Sequence, residues 1–270
     1  MSDQHIVDDL AAVWQSIEDL CATLTPEQWA LPTDCPSWSV QDLLSHMVGT
    51  ESKILGRSSP AHTPQNAGRL PNAIAERNEV EVDYRRSRPG AQVLAEFREV
   101  TAARLTALRA MPEESFARET DSPLGQMPYR EFLRMRFFDC WIHEQDMRRA
   151  LGRPGALEGP LARQGIDRLV AALPYVVGKK VGAPDGATAV FAISGPVGDT
   201  AAIGMEGRRA HRLDDVPAAP TVLLTMDTET FICLSCGRWD PRTTLQRGRV
   251  AIAGDEALGR DILEQLNIMF

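Results

Sequence analysis

The first half of the chain repeats apolar residues at three- and four-residue steps, a period that admits helices packed side on side and little else. Ile6, Val7, Leu10, Val13, Trp14, Ile17, Leu20 and Leu24 fall on one face of a helix over about residues 3 to 24. In PTDCPSWSVQDLLSHMVGTESKIL, Ser39 followed three positions later by Asp42 forms a capping-box pattern and predicts a helix from Val40 to Leu55. Residues 56 to 71 are rich in Ser, Pro, Gly and Asn and read as a surface loop containing His62. A shorter helix over 72 to 86 follows, then a longer one from Ala91 to Met111 that Pro112 stops. The run YREFLRMRFFDCWIHEQDMRRALG is again apolar at helical spacing and ends at Gly152, a good C-cap. Four main amphipathic helices are enough for a bundle.

Beyond GRPGALEGP the pattern changes. One more helix, over about 160 to 181, leads into the short runs ATAVFAIS, TAAIGM and APTVLLTM, bounded by Gly, Pro and Asp, which read as strands. Helical spacing returns over Thr228 to Cys236 and Glu256 to Asn267. The expected fold is therefore two domains: an all-α four-helix bundle over residues 1–157 and a small α+β domain over 158–270. The sequence shows no repeat of 20 to 50 residues.

Charge and cysteine usage narrow the function. A net charge of -8 disfavours nucleic acid or an anionic membrane as the main partner, because both require a basic patch, so a small-molecule ligand is expected. No stretch reaches the roughly 18 apolar residues that span a bilayer, and the start MSDQHIVDDL is acidic where a secretion signal is basic, so a soluble cytoplasmic protein is expected. Cys21, Cys35, Cys140, Cys233 and Cys236 are an odd set with no paired C-x2-C motifs, and they read as buried small hydrophobes.

Three possible metal ligands lie on helices that a bundle can bring together. Asp139 and His143 are four residues apart on the last bundle helix, so they project within roughly 40° of each other, and His46 lies on the second helix. Two imidazoles and a carboxylate form a catalytic zinc set that leaves a position open for substrate. A thiol taking that position is deprotonated at neutral pH. The residue types alone leave open both a metal site and a pair of hydrogen-bonded core histidines. Glu144 and Asp146 are either solvated acids or partners that orient His143.

The stretches PSWSVQDLLSHMVG, FFDCWIHEQDMRRALGRPG, CGRWDP and VAIAGDEALGRDIL, taken in order, resemble the maleylpyruvate isomerase family of mycothiol-dependent enzymes. The resemblance implies a DinB-like N-terminal bundle and a C-terminal domain similar to sterol carrier protein 2. The family pattern W-[ST]-x-x-[DE]-L-x-x-H falls on Trp38, Ser39, Asp42, Leu43 and His46 and implies His46 as a metal ligand. The second family pattern falls on Asp139, Trp141, His143 and Asp146, with Asp139 one methylene shorter than the family's Glu. Arg238 in CGRWDP matches the family's arginine from the C-terminal domain, which implies a clamp on a carboxylate of mycothiol or substrate.

The implied cofactors are a divalent metal, with zinc expected, and mycothiol as thiol cosubstrate. The implied partner is a small electrophile, and the chain is expected to be a monomer or homodimer. Thiolate addition to a cis double bond, rotation and elimination would isomerise the substrate, whereas addition alone would make the chain a thiol S-transferase. A non-catalytic carrier of a small apolar molecule is a competing reading, although the Gly- and Ala-rich runs over 187 to 205 offer few bulky residues to line a cavity. A metal or thiol-stress sensor is a third reading, for which the sequence provides no basic DNA-reading helix.

Overall fold

The computed structural model describes residues 3–68 and 72–269, so the last three residues of the expected loop lie outside the described part. The chain divides into two units, Met1–Pro154 and Gly155–Phe270. In the first unit, α1 (Gln4–Cys21) buries Ile6, Val7, Leu10, Val13, Trp14, Ile17 and Leu20, the face their spacing predicts. A single turn, α2 (Pro26–Trp29), precedes α3 (Val40–Ile54). α3 starts at a complete capping box: the Asp42 amide donates to the Ser39 hydroxyl, and the Ser39 amide donates to the Asp42 carboxylate. α4 (Ala73–Arg86) is capped by Asn72, and α5 (Gly90–Arg109) ends just before Pro112.

The helices α1, α3, α5 and α6 (Tyr129–Ala150) close a four-helix ring. α1 and α3 each pack against both α5 and α6, and α4 lies along α3. A Cβ on Gly49 of α3 would come within 2.4 Å of the Glu81 Cβ on α4, so glycine sets how closely these two helices approach. α6 is buried nearly all round, from Phe132 to Met147, and is therefore the central helix for any chemistry in the bundle. Between α5 and α6 stands a hairpin that periodicity did not predict, β1 (Glu119–Ser122) paired with β2 (Gly125–Pro128). Its residues, ETDS and GQMP, lack the apolar alternation that announces a strand.

In the second unit the helix expected over 160 to 181 comes in two pieces. α7 (Gly159–Ala171) is followed, past Pro174, by a π-helical stretch over Tyr175–Val181. Proline has no N–H to donate, and the ladder resumes at the wider spacing. β3 (Thr188–Ser194), β4 (Asp199–Glu206), β5 (Arg209–Arg212), β6 (Val222–Asp227) and β7 (Val250–Gly254) form one sheet in the order β5-β4-β3-β6-β7. β3 and β6 are parallel and the other pairs antiparallel, so the unit is α+β. α8 (Thr228–Ser235), α9 (Pro241–Gln246) and α10 (Glu256–Gln265) complete it. β5 and β7 were not expected as strands: both are sheet edges, one the polar run RAHR and the other only five residues long. No helix among the described residues is long and apolar enough to cross a membrane.

Candidate metal centre

His46 projects from α3, and Asp139 and His143 project from one face of α6. One donor atom from each of the three lies within 4.8 Å of the other two. His46 Nε2 is 3.2 Å from Asp139 Oδ2, His143 Nε2 is 3.7 Å from Asp139 Oδ1, and the imidazole centroids are 5.2 Å apart. Both imidazoles are buried, while the Asp139 side chain keeps 23% of its surface exposed, so the carboxylate is the accessible edge of the cluster. Trp38 packs on both rings, with centroids 5.2 Å from His46 and 6.1 Å from His143, and its indole N–H donates to the buried Glu79 at 3.1 Å.

The electrostatics keep these groups in the form a cation would use. Burial lowers the pKa of His46 below the ordinary imidazole value, against the pull of Asp139, so the ring stays neutral. Burial alone would push Asp139 up, but the Arg136 guanidinium and the two imidazoles outweigh it and hold the carboxyl well below the usual range. His143 Nδ1 lies 3.2 Å from Asp146 Oδ2. An ionised carboxylate only accepts, so this nitrogen carries a proton, and the contact turns Nε2 toward Asp139. Asp146 is itself held by Arg149, which also donates to Asp34 at 2.7 Å. Neither acid beside His143 is solvated: Asp146 and Glu144 are both buried, and Glu144 accepts from Ser16 and Arg148. His46 Nδ1 is buried without a hydrogen-bond partner while Nε2 faces the ionised Asp139 at 3.2 Å, so without a cation the neutral ring carries its proton on Nε2.

Two imidazole nitrogens and one ionised carboxylate, converging within 4.8 Å with the carboxylate part-exposed, fit the donor chemistry of a divalent metal. A second group of potential donors, Cys35, His143 and Asp146, shares His143 with the first. Cys35 departs from the expectation that all five cysteines are buried: it is half-exposed. The thiol nearest the cluster along α6, Cys140, is fully buried and pushed by that burial up to about 12, so it is no nucleophile.

Residue spacing did not single out the ionic network behind Asp139. Arg136 donates through Nη1 to Asp139 Oδ2 at 2.8 Å and through Nε to Glu51 Oε1 at 2.9 Å, and Arg104 donates to the other Glu51 oxygen at 2.9 Å. Arg136, Asp139 and His143 stand at positions i, i+3 and i+7, a polar stripe that was legible in the sequence. Arg136 also lines a groove of about 340 Å³ with Thr50, Ile54, Phe132 and Met135. Thr50 and Met135 each lie one helical turn from a residue of the cluster. In the second unit, Arg238 follows α8 and is half-buried; its amide donates to Cys233 O at 2.7 Å and its Nη1 to Cys236 O at 2.9 Å.

The sequence pattern of the mycothiol maleylpyruvate isomerase N-terminal domain matches residues 10–148, more than half of the chain. An uncharacterized protein of Mycobacterium tuberculosis strain H37Rv is 28% identical over 178 residues, 65% of this chain and 78% of that protein. Two solved structures of mycothiol-dependent maleylpyruvate isomerase share the fold. A histidine-to-alanine mutant has 14% identity and a TM-score of 0.60, covering 94% of this chain and 93% of its own. The other has 15% identity and a TM-score of 0.58, covering 88% and 90%.

Proposed function

The chain belongs to the mycothiol maleylpyruvate isomerase family, and from that premise we propose that it is a mycothiol-using enzyme whose first domain, residues 1–157, holds a divalent metal, zinc first among candidates, through His46, Asp139 and His143. The observation that carries the metal reading is the convergence of three donors within 4.8 Å on two facing helices, with one imidazole oriented by a buried carboxylate. When bound, the metal would supply a Lewis-acid position at which a thiol is held deprotonated.

The protein's own side chains define the rest of the site. His46 and Asp139 are kept neutral and ionised respectively, so binding a cation would release no net proton and would only move the His46 proton from Nε2 to the unpartnered Nδ1. Asp146 holds the proton of His143 on Nδ1 and leaves Nε2 free. Trp38 closes one side of both rings and excludes water there. The groove that shares Arg136 has room for a small electrophile beside the cluster. Arg238, from the domain over residues 158–270, is proposed to clamp a carboxylate of mycothiol or substrate through paired N–H donors. The thiolate of mycothiol adds to a cis double bond, the resulting single bond rotates, and elimination returns the thiol and the trans product. Addition without elimination would give an S-conjugate.

Metal analysis of the purified chain and of His46→Ala tests the site. The wild type is expected to hold about one zinc per chain, as a three-ligand catalytic site does, and the variant almost none. A wild type without metal, unchanged by the substitution, would remove the metal reading. Turnover of a panel of cis-unsaturated acids and other electrophiles is expected only when mycothiol is present; activity indifferent to thiol would remove the cosubstrate.

A further inference from the structure

Three buried charges and one part-exposed carboxylate connect three helices of the bundle and end on a proposed ligand. Arg104 on α5 and Arg136 on α6 each take one oxygen of Glu51 on α3, and Arg136 then reaches Asp139. Arg104, Glu51 and Arg136 are all at most 6% exposed, and the set of four sums to zero charge. Burying such a set contributes little net stability, because desolvation offsets the attraction and a well-packed apolar set would hold the helices equally well. What the ionic set supplies in addition is direction. A carboxylate on a short arm turns freely about its last bond, and a guanidinium anchored from behind stops it.

The atoms show which way it is stopped. Asp139 Oδ2 is shared by Arg136 Nη1 and His46 Nε2, whereas Oδ1 faces His143 Nε2 at 3.7 Å. Arg136 is fixed independently of Asp139 by Glu51, and Glu51 is fixed by Arg104, whose Nη2 also donates to the Tyr129 hydroxyl at 3.2 Å. The anchors of the clamp, Glu51 and Arg104, are thus groups that do not themselves contact the cluster.

We propose that Arg136, anchored by Glu51 and Arg104, is a positioning residue of the metal centre, holding one Asp139 oxygen so that the carboxylate offers the other to a divalent cation beside the two imidazoles. This rests on the metal reading of His46, Asp139 and His143. Its consequence is that the contribution of Arg136 depends on the length of the carboxylate arm. One methylene more lets the carboxylate reach beyond the fork, so the hold of Arg136 on it is expected to weaken.

The test is a double-mutant cycle read by cobalt(II), titrated into the metal-free full chain and followed by its visible absorption, with circular dichroism confirming the fold of each variant. Arg136→Lys keeps the charge and loses the fork, and it is expected to weaken cobalt binding about tenfold and to change the band shape. In the Asp139→Glu background the same substitution is expected to cost less than about threefold. Glu51→Gln, which releases the anchor and leaves Arg136 in place, is expected to show the same dependence on background and serves where Arg136→Lys does not fold. Equal losses in both backgrounds, or no loss in either, would overturn the positioning role while leaving the metal reading intact. A wild type that takes up no cobalt would defeat both.

Discussion

The two units bury different things. Every buried Asp, Glu, Arg or His side chain among the described residues lies in the first unit: Asp3, Asp42, His46, Glu51, Glu79, Glu81, Arg85, Arg104, Arg136, His143, Glu144 and Asp146. The buried polar side chains of the second unit are hydroxyls alone, Thr228, Thr230, Ser235 and Thr244, around an apolar core that includes Phe191, Ile203, Leu224 and Phe231. Removing an ion from water is costly even when it is paired, so a fold held only by packing has no reason to retain so many. The second unit demonstrates that this chain builds a core without them. The buried acids, arginines and histidines of the first unit are concentrated on α3, α4 and α6, and six of those buried in the unit, His46, Glu51, Arg104, Arg136, His143 and Asp146, belong to the candidate site or its support. The contrast argues that chemistry, more than stability, explains the ionic interior.

The contrast breaks if the two cores respond alike to substitution. Glu51→Ala leaves two buried guanidiniums without their shared carboxylate and is expected to cost about 4 kcal/mol in denaturant unfolding. Replacing Arg104, Glu51 and Arg136 together by Met, Leu and Met is expected to recover most of that stability without restoring metal affinity. Leu224→Ala removes a fully buried side chain opposite Phe191 in the parallel strand pair and is expected to cost about 3 kcal/mol, with metal content unchanged. A triple replacement that stays as unstable as Glu51→Ala would show that the ions hold the fold after all.

The part of this contrast that the sequence announced is the apolar part. The buried face of α1, the capping box at Ser39 and Asp42, and the i, i+4 pair on α6 follow from local spacing, and the structure places them so. The ionic part is non-local. Glu51 and Arg136 are 85 positions apart and Trp38 and Glu79 are 41 apart, and a charged residue within a helical pattern reads as solvated unless its partner is known. α4 shows the difficulty most clearly, since it buries Glu79, Glu81 and Arg85 alongside a single apolar residue, Val82. In the second unit the strands that escaped notice, β5 and β7, are sheet edges with a neighbour on one side only.

A smaller effect tests how α4 is held. The Glu81 side chain crosses over Gly49, and it accepts from Arg85 Nη1 at 2.9 Å and pairs with Lys53 at 3.3 Å. Gly49→Ala pushes this ion cluster away from α3 and is expected to cost about 2 kcal/mol. The metal affinity is expected to change little, because His46 lies on α3 itself and its partners are on α6. A large loss of metal with Gly49→Ala would extend the site's support to α4.

The smallest effect concerns pH and sets the two units apart without any mutation. Burial holds the His46 pKa below its ordinary value of 6.5. Below pH 6.5 the unfolded chain therefore takes up a proton that the folded, metal-free first unit refuses. Where the unfolded state binds more protons, stability falls as pH falls, so the first unit loses stability from about pH 6.5 downward, at no more than about 1.4 kcal/mol per pH unit for this one group. Above pH 6.5 the contribution is constant, since both states are then neutral at His46. Asp139, held low, adds a loss of the same sign only below its ordinary value of 3.8. The second unit buries no histidine, and His211 is exposed, so its unfolding midpoint is expected to stay level between pH 7 and 5. Denaturant unfolding of the metal-free chain, with each unit followed through its own peptides by pulsed hydrogen exchange, reads both slopes. His46→Gln is expected to flatten the first, and a slope that survives this substitution would place its source elsewhere among the buried ions.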